Sequence, residues 1–382
     1  MDRHIHRAQY LARRRREERR RKIIAATTVG ILVVAVVGVF AFMNAGRGSE
    51  EQPATDVLPV GNEATQQQNS ESKANAENIV MTLFGDKNTL VLKGEDYIES
   101  GCHAVDTTKN ENISNIKVEG SVDTSKTGDY QIKYTATDST GKKATCERKV
   151  SVVDSFDGGN AQAVPVCMYH YVYDETNKPD EVDNNWIEAS LLEQEILWTK
   201  ENNFYYPSYE ELAAFVDGKK TLPMKSIIFT FDDGKPEFLQ SGIPLFNKCE
   251  VPATSFVICS DADASEKVFG NPSKFVQYQS HSYAMHVAGS NVGRGGRIHA
   301  CSYDEILDDQ KQAATLTGNS QAYAYPFGDH NETAEKALQD AGVLCAFTIE
   351  NRAVKPGDDK MALPRVRISG SYSFEQFCAL VS

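Results

Sequence analysis

Two adjacent carboxylates, Asp232 and Asp233, close the apolar run SIIFTFDDGKPEF. Side by side they raise each other's pKa unless a cation or a proton intervenes. An Asp-Gly step is also an ordinary turn former, so the pair acquires chemical meaning only if further ligands join it. His281 and His286 are the candidates. They follow the apolar run FVQYQS, and their five-residue spacing does not fit one helical face, where neighbours lie three or four apart. The two rings converge only if the chain turns between them, as it would on leaving a strand. Two imidazoles and one carboxylate form a facial set of metal ligands.

The elements that must position these residues follow from Val164 onward. The runs VPVCMYHYV, SIIFTF, ATSFVIC, FVQYQS, AYAYPF, LCAFTI and VRI read as strands, with helical patterns between several of them. SYEELAAFV and SYDEILDDQ each open on a capping box, Ser208 with Glu211 and Ser302 with Glu305, and ETAEKALQDAG ends on a C-cap-like glycine. Strand and helix in alternation mean a parallel sheet. About seven such strands in residues 164–382 predict a distorted (β/α) barrel, an architecture that places its chemistry at the carboxyl ends of strands.

A chain of 382 residues has room for a second folded module and for non-globular segments. Residues 79–154 alternate apolar and polar positions with frequent turn signals, the pattern of a small all-β sandwich. Residues 1–22 carry a charge of +7, which leaves −20 on the rest of a chain of net charge −13. The basic run could be a nucleic-acid patch, but it leads directly into Ile23–Phe42, which has no charged residue. About 20 apolar residues span a bilayer, so residues 23–43 are expected to form one transmembrane helix in contact with membrane lipid. The basic tail is then the cytoplasmic side, and residues 44–78, poor in large apolar side chains, are a flexible linker. The rest is expected outside the cell membrane, and a segment that acidic is a poor nucleic-acid binder. There Cys102 and Cys146, the sole cysteines of residues 79–154, are expected to form a disulfide.

TFDDG, SHSYAMH and YAYPFG, in this order, resemble the three core motifs of the polysaccharide deacetylases, the NodB-homology carbohydrate esterases, over roughly residues 164–382. Residues 79–154, with TGDYQIKYTATDSTGK, resemble the immunoglobulin-like modules of bacterial surface proteins. The first resemblance implies Asp232 as catalytic base and Asp233, His281 and His286 as ligands of a divalent metal, usually zinc. It further implies that the turn Tyr325-Pro326-Phe327-Gly328 lines the substrate and offers the Phe327 N–H to an oxyanion, although by itself YPFG reads as a type II turn. Three departures stand out. Most members have the histidine pair one residue closer. Many begin the third motif with an arginine that orients the base, where this chain has Ala324. Arg365 in LPRVRI is the candidate replacement, a surface ion pair being its other reading. No histidine follows His330, so the general acid must come from elsewhere. His170 in CMYHYV fills that place by resemblance to a circularly permuted subgroup that includes poly-N-acetylglucosamine deacetylases, a satisfied core histidine being the alternative.

The glycine-rich GSNVGRGGR lacks the Gly-Lys-Ser/Thr of a phosphate loop and reads as a mobile rim. No Gly-x-Ser-x-Gly elbow is present, which disfavours a serine esterase. The resemblance therefore implies metal-dependent removal of acetyl groups from an N-acetylated glycan polymer, peptidoglycan first and an exported N-acetylglucosamine polymer second, with the immunoglobulin-like module as a spacer. The alternative is a non-catalytic cell-wall glycan-binding protein with a degenerate barrel, consistent with Ala324 and the missing terminal histidine.

Overall fold

The computed structural model describes residues 77–382. The expected basic tail, the transmembrane helix and nearly all of the linker lie outside the described residues. Among the described residues no helix is long and apolar enough to cross a membrane.

Seven strands build the first module: β1 (Ile79–Leu83), β2 (Asn88–Leu92), β3 (Cys102–Asp106), β4 (Glu111–Asn112), β5 (Ile116–Glu119), β6 (Gly128–Thr137) and β7 (Lys143–Val153). They form two sheets, ordered β1-β3-β4 and β2-β7-β6-β5. Side chains alternate across a strand, and β6 shows the consequence: Ile132, Tyr134 and Ala136 are buried while Gln131 and Lys133 face solvent. Cys102 and Cys146 meet side chain to side chain, but as free thiols and not as the expected disulfide.

The second module carries the parallel sheet. Its strands are β8 (Val166–Tyr169), β11 (Ile228–Phe231), β12 (Ala253–Val257), β13 (Val276–Ser280), β14 (Ala322–Ala324), β15 (Cys345–Phe347) and β16 (Val366–Arg367), with the short pair β9 (Tyr171–Tyr173) and β10 (Trp186–Glu188) beside them. The order is β15-β14-β13-β12-β11-β8-β16, parallel throughout. The first and last strands, β8 and β16, are neighbours, and a single bridge from Phe347 to Leu363 joins the far edge to the segment before β16. The sheet is thus a half-barrel, distorted and pulled nearly closed at one point. Helices α1 (Ala189–Glu201), α2 (Tyr209–Val216), α3 (Ile243–Cys249), α4 (Ala264–Phe269), α5 (Tyr303–Thr317), α6 (Glu332–Asp340) and α7 (Phe374–Val381) complete it. One core lies between the sheet and α1, α3 and α7, with Phe229, Phe231, Leu192, Phe246 and Phe377. A second packs Tyr209, Leu212 and Phe215 of α2 against Phe256 and Phe347.

One buried carboxyl in the first of these cores is unbalanced. Glu195 on α1 is fully buried, accepts only the Tyr169 hydroxyl at 2.8 Å, and its other oxygen has no partner. Burial pushes its pKa up to about 8. A raised folded pKa means stability that is complete below the unfolded value near 4.5 and lost as pH rises toward 8. Glu195→Gln should therefore flatten the decline in unfolding free energy between pH 5 and 8, a decline on the order of 3–4 kcal/mol in the parent. Urea titrations across that range would show it, and an unchanged slope would rule out the buried acid.

The two modules belong to one compact unit, docked by backbone and hydroxyl groups and by the exposed pair Lys87–Glu250. Asp86 N–H donates to Tyr206 O at 2.7 Å, Thr82 Oγ1 to Ser273 O at 2.6 Å, and the Ser100 and Ser208 hydroxyls meet at 2.8 Å. At the other end Asn112 Nδ2 donates to Thr315 O and Leu316 O at 3.1 and 3.2 Å, capping α5. Gly318 ends that helix at φ 71°, where a Cβ would lie 2.4 Å from His103 Nε2. Only glycine fits both the conformation and the approach. A spacer joined only by its chain would not make these contacts.

Candidate metal centre and active site

Three strand ends converge through strained backbone. Asp233 after β11, Ser282 after β13 and Phe327 after β14 all have left-handed conformations, at φ 72°, 67° and 62°. Each such non-glycine residue costs of order 1–3 kcal/mol and persists only where its surroundings dictate it. The turn after β14 has Tyr325 O accepting from Gly328 N–H at 2.9 Å with Phe327 at φ 62°, ψ 0°, so the type II turn reading and the functional one describe the same geometry.

The adjacent carboxylates face different partners. Asp233 Oδ1 lies 3.5 Å from His281 Nε2 and 3.4 Å from His286 Nε2, and donor atoms of the three residues lie within 4.8 Å of one another. Asp233 Oδ2 accepts the Tyr171 hydroxyl at 2.6 Å. His281 Nδ1 is 2.7 Å from Ala324 O, and a carbonyl can only accept. Nδ1 therefore carries a proton, and in the neutral ring Nε2 keeps its lone pair turned toward the cluster, the arrangement typical of metal-ligating histidines. This donor set fits a divalent ion such as zinc.

Asp232 turns the other way. It is buried and receives a bidentate Arg365 pair, Nη1 to Oδ1 and Nη2 to Oδ2, both at 2.7 Å. Arg365 is itself fully buried, and its Nε donates to Thr348 O at 3.1 Å. Burial alone would raise the Asp232 pKa, but Arg365 holds it below the usual carboxylate range. Asp233 is held well below it in the same way, with burial opposed by His281 and by the Tyr171 hydroxyl. Arg365 is therefore in an interior pair and not in a surface one.

His170 lies between β8 and β9, next to β11 and β16 in the sheet, and burial lowers its pKa while the two aspartates oppose the shift. The structure so places it close enough to feel both carboxylates. His286 packs its ring against Phe327, centroids 4.7 Å apart and planes tilted by 36°. Pro326 is buried in the same turn. The Tyr325 side chain points away from the cluster, donating to Met361 O at 2.9 Å within a separate core. Residues 289–297, read as a mobile rim, are pinned by Asp329, which accepts from Arg294 and Gly296 N–H.

Tyr171 escaped the sequence reading. Its signal was there, an aromatic hydroxyl one residue after His170, but its reach to Asp233 depends on the break between β8 and β9. Trp186, its strand partner, covers it with ring centroids 4.8 Å apart.

Residues 219–346 match the polysaccharide deacetylase family. Residues 81–152 match the family described as bacterial surface protein, Ig-like domain. The deacetylase match contains Asp232, Asp233, His281, His286 and Phe327, while His170 and Arg365 lie outside it on either side. Among curated proteins, a poly-beta-1,6-N-acetyl-D-glucosamine N-deacetylase of Staphylococcus aureus (strain MRSA252) is 25% identical over 206 residues, covering 50% of this chain and 70% of its own. A protein of the same name from Staphylococcus epidermidis is 23% identical over 207 residues, covering 50% and 70%. Among solved structures, the Streptococcus pyogenes deacetylase PplD in complex with acetate aligns with TM-score 0.48 and 20% identity, covering 58% of this chain and 98% of its own.

Proposed function

We propose that this protein hydrolyses N-acetyl groups from a glycan polymer in a metal-dependent reaction at the outer face of the cell membrane, with an exported poly-N-acetylglucosamine as the first candidate and peptidoglycan as the second. The observation that carries the chemistry is the division of the carboxylate pair: Asp232 is fixed by Arg365, and Asp233 is held among two histidines and a tyrosine. The names of the staphylococcal relatives support the order of substrates. The uncharged, apolar Ile23–Phe42 behind a basic tail supports the location.

A divalent ion held by Asp233, His281 and His286 would supply Lewis-acid polarisation of the acetamide carbonyl. Asp232, kept ionised by Arg365, takes a proton from the attacking water. The Phe327 N–H, in the turn beside His286, would donate to the oxygen on which charge develops. His170, in the imidazolium form that the two neighbouring carboxylates favour against burial, would give a proton to the leaving nitrogen as the C–N bond breaks, so that water and amide become acetate and a free amine. Tyr171 is a positioning residue, fixing the second oxygen of Asp233.

The test is acetate release from both polymers by the zinc-loaded chain, before and after chelation. Release abolished by chelation and restored by zinc is the expected result. Metal bound stoichiometrically with no release from either polymer would leave a glycan-binding protein as the better reading.

A further inference from the structure

A cleft of about 790 Å³ lies between the immunoglobulin-like module and the deacetylase domain, and the chemistry above makes no use of it. Both modules line it. Asn110 and Glu111 come from the β3–β4 hairpin, Phe269 from the end of α4, Asp261 and Tyr283 from loops after β12 and β13, and Gln312 from α5. Its size falls in the range of about 300–1,000 Å³ found for ligand sites.

One wall of this cleft, at Tyr283, belongs to the loop that carries both histidines. Tyr283 is two residues past His281 in the chain. Cys259 N–H donates to Ser282 O at 3.1 Å and Ser260 N–H to Tyr283 O at 2.8 Å, which ties the loop after β12 to the one carrying both histidines. Lys235, two residues past Asp233, reaches Asp261 at 3.4 Å. The opposite wall is equally fixed, since Asn112 beside Asn110 and Glu111 caps α5, and Gly318 admits no side chain there.

The lining chemistry suits a sugar chain. Tyr283, half-buried, offers an aromatic surface, and an aromatic body with a few placed polar groups is the usual make-up of a small-ligand site. Asn110 and Gln312 carry amides that both donate and accept, as hydroxyl and acetamido groups require. Asp261 is already committed to Lys267 at 2.5 Å and Lys235, so Glu111 is the carboxylate open to a ligand's hydroxyl or amine.

We propose that this cleft is a distal subsite for the amino-sugar polymer, with the immunoglobulin-like module supplying one wall, so that residues of the glycan beyond the one being deacetylated are held by both modules. The proposal rests on the deacetylase reading of the metal centre. Its test uses the full chain, an N-acetylglucosamine dimer and hexamer, and the variant Asn110→Gly/Glu111→Ala/Gln312→Ala. All three positions are exposed, and glycine preserves the left-handed Asn110. The parent should prefer the hexamer over the dimer in kcat/KM by about tenfold, the equivalent of one or two hydrogen bonds, and the variant should lose that preference through KM. A hexamer preference that is the same in both proteins overturns the subsite. Hexamer binding by calorimetry to the chelated parent and variant separates the two readings: weaker binding by the variant supports the cleft even if neither protein releases acetate, and equal binding overturns it even if both do.

Discussion

Asp232→Asn should lower acetate release by about 10²–10⁴-fold, the usual contribution of a positioned general base, with zinc content unchanged. The side chain keeps its shape and one oxygen for Arg365 but can no longer take a proton. Metal should stay bound because the proposed ligand set, Asp233, His281 and His286, does not include Asp232. The same substitution should also cost stability, because it leaves the fully buried Arg365 without its anion, and breaking a buried pair costs about 3–5 kcal/mol. The two effects can be separated. In Asp232→Asn/Arg365→Met both partners become uncharged, and replacing a whole buried pair is often nearly neutral, so urea unfolding should recover most of the loss while acetate release stays absent. Activity returning with stability in the double variant would show that Asp232 serves the fold and not the reaction.

Much of this site was legible because its logic is electrostatic. Asp232 and Asp233 together demanded cations. That demand points to the histidines, and the missing arginine at Ala324 points to Arg365. Barrel closure then made β8 and β16 neighbours, which is why residues so far apart in the chain as His170 and Arg365 flank one pair of carboxylates. What Ala324 does instead was not legible. Its carbonyl, a group every residue carries, orients His281. The docking of the immunoglobulin-like module was hidden for the same reason, since Asp86, Thr82 and Ser100 work through backbone and small hydroxyls that leave no pattern in a sequence. The free thiols at Cys102 and Cys146 differ from an expectation built on compartment alone, and that expectation depends on residues outside those described.

That docking is tied to a second buried arginine. Arg148 on β7 is fully buried and has no carboxylate partner in hydrogen-bond contact. Its Nη1 donates to Asp86 O at 2.6 Å and Thr89 Oγ1 at 3.1 Å, its Nη2 to Phe84 O at 2.8 Å and Gly101 O at 3.1 Å, and its Nε to the Tyr134 hydroxyl at 3.1 Å. The guanidinium thus gathers the 84–86 turn, whose Asp86 N–H bonds Tyr206 of the second module and whose Gly85 leaves a Cβ only 2.7 Å from Ser208 N. Arg148→Ala removes five bonds to a charged donor and strands several buried acceptors, each costing about 1–3 kcal/mol if left unpaired. We expect a loss of about 3–5 kcal/mol, the scale of a broken buried network. Because the same turn holds the junction, hydrogen exchange should quicken at Asp86 and across β2, while the Asp233, His281 and His286 cluster keeps its metal. Arg148→Ala protein with unchanged exchange at Asp86 would mean that the turn is held from the side of the second module, by Tyr206 and Ser208, and that the arginine serves the sandwich alone.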